Sequence, residues 1–381
     1  MKPLHPERPA AGQTHKMDFF QKEKRSVLDA KYEAQKIAFA PLVFQSALAL
    51  RDLGILKAIE SRGSGGAEAG EIAEELKLSV YGVKVLAEAG LGTGLLLLTE
   101  KRYSLSNTGY FILHDPMTRV NMDFVQNVNY QGAFYLKEAV KSGKPSGLKV
   151  FGDWPTIYQA LAHLPADVQK SWFAFDHFYS DAAFKDVLPR VFDEKPRSLL
   201  DVGGNTGKWA LQCLSYDADV KVTIADLPGQ LRMAERNITK EGLEERVSYH
   251  AVDLLEPSGK LPEGHDAIWM SQFLDCFSQS EMISILKRAA AVMADESKLY
   301  ILETYWDRQK YEAAAFCLQQ TSLYFTCMAN GNSQMYHSDD MKNCLHAAGL
   351  QIVEETDHLG ISHTLFKCIK KAGVGKKKKC G

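Results

Sequence analysis

Residues 198–214 read "SLLDVGGNTGKWALQCL". A short apolar run ends at Asp201, a turn carrying Gly203, Gly204 and Gly207 follows, and apolar positions at helical spacing then resume. Strand, glycine turn and helix open a βαβ unit, and the chain beyond repeats the alternation. "VKVTIAD" (220–226), "VSYHAVD" (247–253), "DAIWMSQ" (266–272) and "KLYILET" (298–304) read as strands with helical segments between them. "LQIVEETDHLG" (350–360) and "HTLFKCIKK" (363–371) read as a closing antiparallel pair. The expectation is an α/β domain over residues 191–371, with a mostly parallel sheet and right-handed crossovers.

Upstream the pattern changes. Residues 24–110 are helical and compact, and "EIAEELKLSVYGVKVLAEAGLGTGLLLLTEKRYSLS" (71–106) reads as helix, turn, helix and a short β-wing. A winged helix suggests DNA binding, but its second helix, residues 80–89, offers Lys84 as its one basic side chain. A recognition helix presents several Arg, Lys, Asn or Gln side chains to the groove, so dimerisation or substrate covering is the better reading. Residues 111–190 are helical and rich in aromatics, a linking segment expected to contribute to a substrate pocket. Residues 1–23 and 372–381 lack periodicity and are expected to be disordered, the lysines at 376–379 forming a solvated basic tail.

A chain of 381 residues has room for two domains. With 45% hydrophobic and 24% charged residues and a net charge of −2, it is an ordinary globular composition. That balance gives no electrostatic reason to expect nucleic acid or an anionic membrane as a partner. No apolar run nears the roughly 20 residues that span a bilayer, and the polar N-terminus lacks a secretory signal's apolar core. Seven scattered cysteines with no C-x-x-C read as reduced thiols of a cytoplasmic protein, with neither a disulfide framework nor a metal site.

In such a sheet, ligands bind beyond the carboxyl ends of the strands. The turn reads Gly203-Gly204-Asn205-Thr206-Gly207, which is not G-x-G-x-x-G, and Lys208-Trp209 after it excludes a P-loop. Asp201 places a carboxylate ahead of the turn, which repels a pyrophosphate and attracts an ammonium. Asp226, followed by Leu227, ends the second strand where a carboxylate takes both hydroxyls of a ribose. Asp253 ends the third, placed to accept from an exocyclic amine, with Leu254 or Leu255 against a base. Ser271 and Gln272 close the fourth strand and join the same cofactor-binding set. Each acid alone is as readily a solvated or capping residue. Together, an ammonium-bearing tail, a ribose and an adenine describe S-adenosyl-L-methionine.

"LLDVGGNTG", "ADLP", "AVDLLEPSGKLPEGHDAIWMSQFL" and "AAGLQIV" also resemble the small-molecule O-methyltransferases of the winged-helix, dimeric type. That group includes caffeic-acid, acetylserotonin and bacterial polyketide enzymes, and the resemblance runs from about residue 40 to 370. It implies a Rossmann-like methyltransferase domain behind an N-terminal helical winged-helix domain, a homodimer, and O-methylation of a small aromatic molecule. Two rivals remain: a relative that binds the cofactor without O-methylating, and a winged-helix DNA-binding regulator with a metabolite-sensing domain. Asn205 stands where the group has glycine, and Asn tolerates positive φ better than other side chains do.

The catalytic segment departs further. The group reads roughly V-L-H-D-W after the fourth strand, its histidine taking the acceptor's proton; here Phe273-Leu274-Asp275-Cys276-Phe277 stands there. Of the two glutamates that flank the histidine in the group, Glu303 matches one and Met335 replaces the other. A carboxylate of ordinary pKa, about 3.9, is a poor base for a phenol of about 10 unless its surroundings raise it. Asp275 is therefore either a raised-pKa base or a cap for the helix beginning "SQSEMISILKRAA", where Ser278 is better placed. His177 falls where the group has a pocket methionine, either facing the acceptor or satisfied in the core. Tyr336 and His337 are further candidates.

Overall fold

The computed structural model describes residues 19–371. The disorder expected for residues 1–18 and the tail at 372–381 lies outside the described residues. Residues 19–23, expected to be disordered too, are placed: the Phe20 ring packs edge-on against Trp306 at 6.3 Å, an apolar contact that ties the segment down. Two compact units divide the chain. One comprises residues 22–128 and the six residues 170–175; the other comprises 129–169 and the residues from 176 onward, with 19–21. The dividing line thus falls inside the aromatic helical segment.

The N-terminal unit begins with helices α1 (Val27–Ala38), α2 (Ala40–Asp52) and α3 (Ile55–Ser61). Next come α4 (Ala69–Leu76), α5 (Val80–Gly92) and the antiparallel wing β1 (Leu96–Thr99) and β2 (Arg102–Leu105). Helices α6 (Asn107–His114) and α7 (Pro116–Phe124) follow. The helix-turn-helix and wing are as the sequence implies. Leu50, Ile55, Leu56, Ile59, Ile72 and Val83 fill their core. On α5, Val80, Tyr81 and Val85 are exposed and Lys84 lies 3.8 Å from Glu88, so the outward surface is apolar with a paired charge. Helix α1 buries none of its residues, and its Val27, Leu28 and Ile37 are each about three-quarters exposed.

The second unit holds α8 (Leu136–Ser142), α9 (Ile157–Ala160) and most of the 26-residue α10 (Ala166–Val191). The alternating part then runs β3 (Ser198–Val202), α11 (Lys208–Tyr216), β4 (Lys221–Asp226), α12 (Pro228–Lys240), β5 (Val247–Ala251) and β6 (Ala267–Ser271). It continues with α13 (Gln279–Val292), β7 (Lys298–Glu303), α14 (Glu312–Tyr324), α15 (Ser338–Ala347), β8 (Leu350–Leu359) and β9 (His363–Lys370). The seven strands lie in the order β5-β4-β3-β6-β7-β9-β8, parallel except for the antiparallel β9. This is a Rossmann-like α/β fold.

Near-continuous apolar strands suit a sheet covered on both faces. Successive side chains alternate sides: Leu200, Val202, Ile268, Met270, Leu299 and Ile301 pack toward α13 and α15. Leu199, Val222, Ile224, Trp269, Tyr300 and Leu302 pack against α11 and α12, where Trp209 stacks on Trp269 at 4.0 Å. The chain winds outward from β3 through β4 to β5, then crosses to β6 on β3's other side. The resulting switch in direction opens a crevice at the carboxyl ends of β3 and β6, beneath the glycine turn.

Candidate active site

The turn after β3 is held by backbone conformations that need small residues. Gly203 and Gly207 have φ of +76° and +79°, and Asn205 adopts +49°, the left-handed conformation that Asn tolerates. A Cβ on Gly203 would overlap the Phe273 ring, and one on Gly204 would lie 2.7 Å from Asp201 Oδ2. The turn therefore brings bare backbone to the mouth of the crevice.

Asp201 lies beneath it, 2% exposed, and its Oδ2 has no hydrogen-bond partner among the described residues. Burial, with the neighbouring Asp226, pushes its carboxyl up to about 8. Asp226 accepts from the Asn205 amide through Oδ2 at 2.8 Å and from the Leu227 amide through Oδ1 at 2.6 Å. Burial outweighs those bonds and raises it to about 6. Asp253 lies two residues beyond β5 and accepts from the Leu255 amide at 2.8 Å. Leu254 packs into the core under the sheet, which leaves the half-exposed Leu255 as the leucine free to meet a flat base. Ser271 Oγ and Gln272 Oε1, at the end of β6, are buried without partners among the described residues, and Gln272 takes a left-handed φ of +44°.

Gln272 leads into the turn that carries Asp275. Glu303, at the end of the neighbouring β7, accepts from the Phe273 and Leu274 amides through Oε1 at 3.0 and 2.9 Å. That clamp seats the turn, and Glu303 Oε2 has no partner among the described residues, in a residue 1% exposed. Burial and Asp275 push the Glu303 carboxyl well above its ordinary range. Asp275 is 5% exposed with Cys276 Sγ 3.5 Å from its Oδ1, and burial raises it to about 6. It caps no helix: Ser278 and Glu281 form a reciprocal capping box at the start of α13. Met335 is buried with its Sδ 3.5 Å from Thr304 Oγ1, next to Glu303, so a neutral thioether fills the place of a second acid.

The remaining candidates divide. Tyr336 donates its hydroxyl to the Phe277 carbonyl at 2.7 Å, and His337 caps α15, its Nδ1 accepting from the Asp339 amide at 3.1 Å. Both are committed to structure by those bonds. His177, on α10, has Nδ1 3.8 Å from Asp176 and from Asp181, and desolvation, with Lys208 nearby, lowers its pKa. Two residues were not anticipated. Asp176 accepts from the Asn205 side chain at 3.2 Å, and burial, with Asp275 next, raises it to about 7. Tyr158, on α9, buries its hydroxyl beside Cys276. Both come from aromatic helical stretches where apolar residues on every side leave no periodicity to assign facing. Among the described residues no cluster of His, Cys, Asp and Glu is arranged to hold a metal ion, and the six described cysteines are unpaired.

Comparison with known proteins agrees with this architecture. Residues 31–103 match the family model of a Dimerisation2-like domain, and residues 134–351 match that of an O-methyltransferase domain. A phenazine-1-carboxylate N-methyltransferase of Pseudomonas aeruginosa is 26% identical over 166 residues, 44% of this chain and 47% of that protein. The matched stretch thus spans about half of that relative's length. A 3-hydroxy-5-methyl-1-naphthoate 3-O-methyltransferase of Streptomyces sahachiroi is 24% identical over 66% of this chain and 71% of its own. In fold, the S-adenosylmethionine-dependent methyltransferase SibL superposes with a TM-score of 0.68 at 24% identity, over 89% of this chain and 99% of that one.

Proposed function

Because the chain belongs to the O-methyltransferase domain family, we propose that it moves the methyl group of S-adenosyl-L-methionine to a hydroxyl of a small aromatic molecule. The observation that carries this reading is the Asp201 carboxylate, its Oδ2 without a partner among the described residues, buried under a turn whose Gly203 and Gly204 leave no room for a Cβ. A cationic head group beside it supplies the missing partner. A diphosphate adds a second negative charge and does not fit.

When bound, the cofactor supplies a methyl group activated on a sulfonium. Asp201 holds the ammonium, Asp226 the ribose hydroxyls, and Asp253 the exocyclic amine with Leu255 on the base face. Gly203, Gly204 and Gly207 let the backbone approach, Leu227 flanks the Asp226 carboxylate, and Ser271 and Gln272 border the same crevice. Leu254 serves from the core. On the acceptor side Asp275 takes the proton of the acceptor's hydroxyl, whose oxygen would receive the methyl group that the bound cofactor supplies. Rapid transfer rests first on holding oxygen and methyl in line, and a general base adds about 10²–10⁴-fold. The rise of Asp275 from 3.8 to about 6 makes it roughly a hundredfold better proton acceptor than an ordinary aspartate. Glu303 supports it by seating the turn; His177 stands second as a base.

The names of the relatives, acting on naphthoate and phenazine carboxylate, favour an aromatic acceptor. The exposed apolar residues of α1, within a segment matching a dimerisation domain, favour a homodimer. The Asp275→Asn variant tests the chemistry. Methylation of a panel of phenols, read by mass spectrometry, is expected to fall about 10²-fold while calorimetric affinity for S-adenosylhomocysteine holds. Near-full activity in that variant, with loss in His177→Ala, moves the base to the histidine. Aspartate at the histidine position favours a second reading, a cofactor-binding relative without O-methylation. It gains if the wild type binds the cofactor and methylates no phenol.

A further inference from the structure

The turn that carries Asp275 is pinned at both ends, and the pinning fixes the place of the thiol that follows. Asn330, between α14 and α15, donates its Nδ2 to the Cys276 carbonyl at 2.5 Å, and Tyr336 donates to the Phe277 carbonyl at 2.7 Å. Glu303 holds the Phe273 and Leu274 amides at the other end. Held so, Cys276 sets its Sγ 3.5 Å from Asp275 Oδ1, the thiol donating. Tyr158 meets the same sulfur from α9, a short helix seated by its buried Ile157 and Ala160. Its hydroxyl oxygen is shut off from solvent. Burial holds both the thiol and the phenol well above their ordinary ranges, so each keeps its proton at neutral pH and can donate. The other titratable groups that face Asp275 are Glu303 from β7, Asp176 from α10, Tyr305 after β7 and Tyr336 ahead of α15. Two are acids, Tyr305 stacks on Phe366 in the core, and Tyr336 is committed to the Phe277 carbonyl. The side chain that donates to the Asp275 carboxylate is Cys276.

We propose that Tyr158 and Cys276 are positioning residues for methyl transfer: the Tyr158 hydroxyl donates to Cys276 Sγ, the thiol donates to Asp275 Oδ1, and Oδ2 is left as the oxygen that meets the acceptor. The inference rests on the reading of Asp275 as the base. The protons of the relay stay in place; the one that moves passes from the acceptor's hydroxyl to Oδ2. A thiol is a weak donor, so it orients the carboxylate while withdrawing little of its basicity. A hydroxyl in its place would bind the charged carboxylate more tightly and make it a poorer base. With Tyr158 donating to one side of the sulfur, the S–H hydrogen is turned toward Oδ1. Cys276 also stands where the pattern V-L-H-D-W has an acid. An acid there would set a second negative charge beside Asp275, whereas a thiol sets a neutral donor.

Two readouts test it, and the second needs no turnover. The first is kcat for a phenol acceptor across pH 5 to 8. The second is the titration of the Asp275 carboxyl, followed by NMR of the full chain labelled with carbon-13 in its aspartate carboxyls and saturated with S-adenosylhomocysteine. The Asp275 signal is the one missing from Asp275→Asn. Cys276→Ala removes a donor to the charged form, so both midpoints should move to higher pH and kcat at pH 6 should fall about 3-fold or more. Cys276→Ser supplies a stronger donor, so both should move to lower pH. Tyr158→Phe should move them upward by less than Cys276→Ala does, lowering kcat at pH 6 with KM unchanged. General damage to the fold does not shift a titration in opposite directions for alanine and serine. Midpoints that stay at the wild-type values in the Cys276 variants, or move the same way in both, overturn the inference. So does a Tyr158→Phe protein identical to the wild type. If the carboxyl shifts as expected and no phenol is methylated, the relay holds and hydroxyl methylation alone is overturned. Should Cys276→Ala fail to fold, Cys276→Ser and Tyr158→Phe, each a change of one heavy atom, still decide.

Discussion

Asp201 carries a proton at neutral pH when nothing sits beside it, because burial and Asp226 hold its carboxyl at about 8. An ammonium placed against Oδ2 favours the charged form and pulls that pKa down, so binding at pH 7 expels the proton. Calorimetry of S-adenosylhomocysteine at pH 7 in phosphate and in Tris should therefore give different heats, equivalent to nearly one proton released. In Asp201→Asn the difference should vanish and affinity should drop about 10-fold or more; buffer-independent heats in the wild type would remove the ammonium assignment. Asp275 should show itself in the opposite experiment. Turnover at saturating substrates should climb as pH rises through about 6, where Asp275 loses its proton and becomes a base. A flat profile from pH 5 to 7 would contradict it. The acids at the strand ends were legible because a strand's end fixes where its last side chain goes. Asp201, Asp226 and Glu303 each follow a largely apolar run at a strand's end, and Asp253 lies two residues past the end of β5. Asp176 and Tyr158 follow no such rule, since a helix apolar on every side does not say which residue faces the crevice.

The glycine turn and the start of α13 show how elements set those residues in place. Gly203→Ala puts a Cβ into the Phe273 ring at a φ of +76°, where an L side chain is strained in any case. The variant should lose about 1–3 kcal/mol of stability and most of its affinity for S-adenosylhomocysteine, since Phe273 also opens the Asp275 turn. Wild-type affinity in a folded Gly203→Ala protein would show that the close approach is dispensable. Ser278→Ala removes the capping box with Glu281 and should cost about 1 kcal/mol, read as a lowered Tm. Strand and helix order was readable from alternation of apolar runs with glycine and proline punctuation, and Ser278 from its position at the start of the helical run. The position of β9 was not: a strand added antiparallel between β7 and β8 depends on pairing across the sheet, which no local pattern encodes.

The whole molecule concentrates buried carboxylates at one crevice, and its stability should record them. Apolar residues left bare on α1 predict an obligate dimer burying above roughly 2,000 Å², so a monomer by light scattering at micromolar concentration would refute that assembly. Asp176, Asp201, Asp226 and Asp275 have folded-state values of about 7, 8, 6 and 6 against an ordinary 3.8. Between those limits the folded chain binds more protons than the unfolded one, so their contribution is complete at low pH and is lost as pH rises through 6 to 8. His363 works the other way. Fully buried, it is held at about 4 against 6.5, so its contribution is present above 6.5 and is lost as pH falls toward 4. The two trends oppose each other below 6.5, and above it only the carboxylates remain. The Tm of the protein without cofactor should therefore fall steadily from pH 6.5 to 8.5. Saturation with S-adenosylhomocysteine should raise the Tm most at the alkaline end, because its ammonium compensates Asp201 where that carboxylate has just become charged. A Tm that rises from pH 6.5 to 8.5 without cofactor, or a gain from cofactor that is the same at both ends, would mean that these acids do not govern the stability of the fold.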